Sequence, residues 1–149
     1  MAGEERVEAG PGAAVGARPE AGADAPKALV LCSGGVDSTT LLARAVRDFG
    51  AANVYALSVS YGQRHARELD AARAVAAFYG VEQRFLDLAA IFADSDCSLL
   101  SHSGAALPRG AYADQQDAAG GAPVSTYVPF RNGLFLSSAA SMALSLGCS

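Results

Sequence analysis

The sequence predicts an α/β fold built on a parallel sheet, and three observations carry that prediction. Apolar runs of strand length alternate with amphipathic stretches of helical length. Each helical stretch closes on a glycine, at Gly50, Gly80 and Gly147. The first apolar run leads directly into a turn of glycine and serine rather than into a hairpin. Strands separated by helices of about ten to fifteen residues are the pattern of βαβ units, whose right-handed crossovers give parallel pairing.

The elements follow in order. Residues 1 to 26 are dominated by Ala, Gly, Pro and Glu, and a segment so poor in large apolar side chains cannot offset its ordering entropy. It is expected to be a disordered extension, with the folded domain over 27–149. Ala28-Leu29-Val30-Leu31-Cys32 is a continuous apolar run, as in a strand covered on both faces. From Thr39 the period becomes helical, with Leu41, Leu42, Ala45, Val46 and Phe49 on one side. Val54 to Ser60 forms the second strand, and a second helix runs from Ala66 to Tyr79 on Leu69, Ala72, Val75, Ala76 and Tyr79. Val81 to Leu88 is a weaker third strand. Residues 93 to 126 show no period and are expected to be an irregular loop, functional or mobile. Order returns in the strand-like Thr126 to Gly133, and a third helix continues through Leu134, Phe135, Ala139, Met142 and Leu146. A βαβαβα pattern calls for another strand next, so the sequence reads as truncated before its fourth strand. That strand is expected beside the first, whose edge would otherwise be exposed to aggregation.

Composition bounds the function. A net charge of −4 and a pI near 5.0 offer no basic surface for wrapping nucleic acid. No apolar run approaches the roughly 20 residues of a membrane span, and the acidic start Met1-Ala2-Gly3-Glu4-Glu5 precedes no apolar signal segment. Cys32, Cys97 and Cys148 are odd in number, widely spaced and form no Cys-x-x-Cys pair. Free thiols fit a reducing compartment. The expectation is a cytoplasmic protein with neither nucleic-acid nor membrane partners and no metal ligands in this chain.

The chemistry concentrates in Ser33-Gly34-Gly35-Val36-Asp37-Ser38, between a buried strand and a helix. A helix N-terminus presents unpaired N–H groups and the positive end of a dipole. Two glycines let the backbone approach an anion, and Ser33, Ser38 and Thr39 add hydroxyl donors. A plain βα turn capped by Asp37 or Ser38 is the simpler alternative. The string lacks the spacing and lysine of a Walker A loop, and it lacks the Gly-x-Gly-x-x-Gly of a dinucleotide fold.

Ser-Gly-Gly-x-Asp-Ser resembles the pyrophosphate loop of the ATP-pyrophosphatase (PP-loop) superfamily. Two further strings narrow the likeness: Tyr61-Gly62-Gln63-Arg64-His65 with Glu68 behind it, and Tyr127-Val128-Pro129-Phe130-Arg131-Asn132. Together the three are similar to the 7-cyano-7-deazaguanine synthase family of queuosine biosynthesis, over residues 28 to 148. The resemblance implies a Rossmann-like, adenine nucleotide alpha-hydrolase-like three-layer fold. It implies an ATP-dependent C–N ligase that converts 7-carboxy-7-deazaguanine and ammonia to the nitrile through adenylated intermediates. ATP and Mg²⁺ are the implied cofactors, and the resemblance permits a homodimer. It also implies zinc held by C-terminal Cys-x-x-Cys pairs, which this chain does not contain and which Cys97 and Cys148 do not match.

By matching position the resemblance assigns Cys32, Ser33, Gly34, Gly35, Val36, Asp37, Ser38, Thr39, Thr40, Leu41 and Leu42 to ATP. Asp37 is a Mg²⁺ ligand or a helix cap. Arg64 pairs with an anion of the ligands or with Glu68, and His65 is an acid–base group or a solvated helix-start histidine. Asp37, Arg64 and His65 are thus the catalytic candidates. Arg131 and Asn132 contact substrate, with Asn132 as an N-cap the competing reading. His102 is a bystander, and Cys32 packs rather than reacts. The rival readings are a tRNA-thiolating or amidotransferase-type ATP pyrophosphatase, and a non-catalytic nucleotide-binding fragment. The first should show cysteine pairs and a basic surface. A stress-protein-type module should carry its phosphate loop after the fourth strand.

Overall fold

The computed structural model describes residues 25–63, 67–104 and 124–148. Three strands, β1 (Ala28–Leu31), β2 (Val54–Ser60) and β3 (Glu82–Asp87), form one sheet in the order β1-β2-β3, with both pairings parallel. Helix α1 (Val36–Phe49) connects β1 to β2, and α2 (Arg67–Tyr79) precedes β3. Helix α3 (Arg131–Ser145) closes the described chain.

The pleat sorts the strand residues into two faces. Val30, Cys32, Val54 and Ala56 pack against Leu42, Ala45 and Val46 of α1 and Ala72 and Ala76 of α2. The alternate residues Leu31, Leu57 and Val59 face the side where Phe135 of α3 lies. Among the described residues, two helices on one face and a third on the other make the three-layer, Rossmann-like arrangement that the family resemblance implied. The core is thin because alanines fill much of it. Leu42, Leu57 and Leu100 are the largest side chains wholly removed from water.

The observed boundaries differ from expectation in ways that have causes. Helix α1 begins at Val36, three residues before the apolar period starts, because Gly35 already accepts from the Thr39 N–H (2.9 Å). Leu41, placed on the inner face from its spacing, is instead 55% exposed. Val81 and Leu88 flank β3 rather than join it, and both are buried.

Ala89–Phe92, just before the segment read as an irregular loop, forms a 3₁₀ turn. Within that segment the described residues 93–104 and 124–126 hold turns and no helix or strand, and Leu100 forms an antiparallel bridge with Gln63, while residues 105–123 lie outside the described residues. Ser98 N–H and Ser98 Oγ both donate to the Ser125 carbonyl (2.8 and 3.1 Å). Leu88, Phe92, Cys97, Leu100 and Val128 then form a second cluster beside the carboxyl ends of the strands. Turns held by scattered side chains have no period, so the pattern could not reveal them. Residues 124–130 are likewise turns, not the strand-like segment expected. The expected N-terminal extension falls almost wholly outside the described residues.

Candidate active site at the carboxyl ends of the strands

The site grows from the end of β1. Cys32 is clamped on both sides: its N–H donates to the Leu57 carbonyl (2.8 Å) and its carbonyl accepts from Ser58 Oγ (2.7 Å). Ser58 is buried in the central strand and in turn accepts from Gln83 Nε2 (2.9 Å). This polar chain crosses all three strands and fixes the point from which the loop departs. A buried hydroxyl without partners is costly, and here both of its roles are satisfied. Neither Ser58 nor Gln83 was singled out from the sequence. The signal was present, since a serine inside the apolar run Val54 to Val59 must find a partner.

The loop then turns on Gly34, at φ +82°. A Cβ there would lie 2.5 Å from the Ala72 nitrogen, so the loop rests on the backbone of α2. Gly34 therefore serves helix packing as well as any approach to an anion. Ser33 N–H donates to Ser38 Oγ (3.3 Å), the two hydroxyls lie 3.2 Å apart, and Gly35 N–H donates to Ser33 Oγ (3.4 Å). Ser38 Oγ also donates to the Gly35 carbonyl (3.0 Å).

Gly35 is the N-cap of α1, with extended φ and ψ, and among the described residues no side chain caps the helix. Asp37 sits in the first turn, exposed, and is not the cap that the simpler reading made it. The first turn of α1 thus meets solvent with its backbone donors uncapped by any side chain, the arrangement that receives anions.

The eleven residues assigned to ATP do not share one surface. Ser33, Gly34, Gly35, Val36, Asp37, Ser38 and Thr39 form the loop and first turn. Thr40 Oγ1 is turned back to the Val36 carbonyl (2.9 Å). Leu42 lies in the core and Leu41 projects outward, so neither side chain faces the loop's concavity. The Cys32 side chain is 2% exposed and packs in the core, as expected of a residue that does not react. Arg64 and His65 lie outside the described residues.

Beside the loop is a cavity of about 190 Å³ lined by Ser33, Leu57, Val59, Tyr61, Gln63 and Glu68, with Phe135 closing it from α3. Tyr61 follows β2, and its ring contacts Phe135 (5.6 Å) and Phe92 (6.3 Å). Arg131 arrives from the start of α3. Its Nη1 donates to Tyr61 Oη (3.2 Å), and its guanidinium lies 5.3 Å from the Tyr61 ring centroid. Asn132 is inside the helix rather than at its cap, because the N-cap is Phe130, in the left-handed region at φ 50°. Its Oδ1 accepts from Arg131 Nε (3.4 Å). His102 is outside this group and lies 3.0 Å from the Ser95 carbonyl.

Among the described residues no group of three or more His, Cys, Asp or Glu could hold a metal ion, and no helix is long and apolar enough to cross a membrane. Asp37 is the loop's carboxylate. One carboxylate beside a triphosphate is a common setting for Mg²⁺, so the residues present fit that ion.

Fold and site together define a class: an open parallel α/β domain whose glycine- and serine-rich loop joins the first strand to an uncapped helix. The family model described as queuosine biosynthesis protein QueC matches residues 27–149, and the chain belongs to that family. Over 125 residues it is 49% identical to a 7-cyano-7-deazaguanine synthase of Azoarcus sp. (strain BH72), covering 83% of this chain and 50% of the relative. It is 44% identical over 121 residues to the synthase of Chromobacterium violaceum, covering 81% and 49%. It is 42% identical over 127 residues to that of Koribacter versatilis, covering 85% and 52%. The chain spans about half the length of the curated relatives it matches. The family resemblance drawn from the three motifs is borne out.

Proposed function

We propose that this chain supplies the ATP-activating part of a 7-cyano-7-deazaguanine synthase. The observation that carries the reading is the uncapped start of α1 behind a Ser-Gly-Gly loop, in a chain whose relatives bear that name. The reaction needs activation twice. The substrate carboxylate oxygen attacks the α-phosphorus of ATP, and pyrophosphate leaves. Ammonia then attacks the acyl carbon and AMP leaves, giving the amide. A second ATP adenylates the amide oxygen, and loss of AMP with two protons from nitrogen leaves the nitrile.

The loop's part is electrostatic. The backbone donors at the start of α1 and the Ser33 and Ser38 hydroxyls would hold the pyrophosphate as its charge grows, in place before the reaction begins. Mg²⁺, brought with ATP, would neutralise part of that charge, and Asp37 would be the carboxylate that holds it. The aromatic wall of Tyr61 and Phe135 would shelter a planar base. Free, buried Cys32 and Cys97 support a cytoplasmic setting. Zinc belongs to the reading through the family resemblance alone, and no step is assigned to it.

The test is pyrophosphate release from ATP by the full-length protein, dependent on 7-carboxy-7-deazaguanine and ammonia, with the nitrile identified by mass. Asp37→Ala should lower turnover at least about a hundredfold, the loss typical of one electrostatic contact to the transition state. Unchanged turnover in that variant would remove the loop from the reaction.

A further inference from the structure

We propose that Tyr61 is a positioning residue that aims Arg131 at the carboxylate of the acid substrate. The inference rests on the reading just given, and adds to the Tyr61 ring a role for its hydroxyl.

Arg131 and Tyr61 are 70 residues apart in sequence and meet beside the cavity. The tyrosine holds the guanidinium in two ways, by a hydrogen bond to its hydroxyl (3.2 Å) and by a stacking contact at 5.3 Å from its ring centroid. The tyrosine is itself held. Phe135 and Phe92 brace its ring, and its backbone N–H donates to Gln63 Oε1 (2.8 Å).

A second support lies under Arg131. Phe130 takes the left-handed conformation at φ 50°, ψ 19°, which side chains seldom adopt. Its ring is folded over Gly133, where any Cβ would collide with it, and its N–H donates to Tyr127 Oη (3.3 Å). Strain of this kind persists where the surroundings impose it, and it concentrates at functional sites. Here it turns the chain so that the first residue of α3 faces Tyr61.

Guanidinium has five N–H donors in a planar fork that matches a carboxylate bidentately. Among the described residues two of those donors have partners, on Tyr61 and Asn132. Ser33 and Tyr61 line the cavity beside the loop, whereas Arg131 lines a second pocket of about 400 Å³ with Tyr127, Val128, Phe130 and Asn132. An acid seated there would present its carboxylate to the arginine. In the reading above the loop takes the phosphates of ATP, which leaves the acid's carboxylate as the anion for the arginine.

The test uses the full-length protein and two variants that keep the ring and the charge, Tyr61→Phe and Arg131→Lys. Tyr61→Phe should raise KM for 7-carboxy-7-deazaguanine about tenfold, the usual worth of one hydrogen bond to a charged group. KM for ATP and the melting temperature should stay put. Arg131→Lys should raise the acid KM further, and adding Tyr61→Phe to it should cost nothing more. Gly133→Ala should reproduce the acid-selective loss by moving Phe130. An unchanged acid KM in Tyr61→Phe, an equal rise for ATP, or independent multiplying losses would each overturn the proposal. Equilibrium dialysis of the acid separates it from the function proposed above. Wild-type protein that binds the acid but releases no pyrophosphate would refute that function, whereas acid binding unaffected by Tyr61→Phe would refute this one.

Discussion

Adjacent glycines in the loop do different work. Gly34 combines a φ of +82° with a backbone seat on α2, whereas the nearest atom to a Cβ at Gly35 would be Ser33 Oγ at 3.5 Å. Gly34→Ala should therefore destabilise the fold by about 2–4 kcal/mol, from strained backbone plus displaced α2. Gly35→Ala should leave the urea midpoint nearly unchanged and act on ATP-dependent turnover alone. Equal midpoints for the two variants would contradict the packing role. A smaller effect belongs to Asp48, whose carboxyl the Arg47 side chain, with Arg44, holds below its ordinary range. A lowered folded pKa means that Asp48 adds stability above its unfolded pKa near 3.9 and loses it as pH falls through the folded value. The difference between wild type and Asp48→Asn should be small at neutral pH, because these side chains are exposed, and should vanish in acid.

At the scale of elements, β2 carries the most structure. It pairs on both sides, buries Val54, Ala56, Leu57 and Ser58, and leads into Tyr61. Ser58→Ala would strand the Cys32 carbonyl in the interior and take a partner from the part-buried Gln83 amide, costing about 1–3 kcal/mol. Ser58→Thr keeps the hydroxyl and should lose less wherever the extra methyl can be accommodated. Urea unfolding at fixed pH distinguishes the two. The first strand and the Ser-Gly-Gly loop after it were legible in the sequence because each has a strong local signature, a continuous apolar run and a rare Gly-Gly-x-Asp-Ser string. The Arg131–Tyr61 contact was not legible, since nothing local to either residue announces a partner so far along the chain. Asn132 misled for a related reason: it is a good N-cap type, but Phe130 in a left-handed turn starts the helix before it.

The described residues form two cores of unequal kind. One is sealed between the sheet and α1 and α2, and the other gathers turns around Leu88, Phe92, Leu100 and Val128. Turns with few backbone ladders open more readily than paired strands. Native-state hydrogen exchange should find the β2 amides slowest and those of residues 95–103 faster, while comparable rates would argue for a single cooperative unit. The joining of distant segments has a further consequence, in time rather than space. A ribosome adding about 5–20 residues per second makes Tyr61 several seconds before Arg131, 70 positions later. Throughout that interval the nascent chain carries an aromatic ring that lacks both its arginine and Phe135. Of the pair, the ring is born first and its brace later.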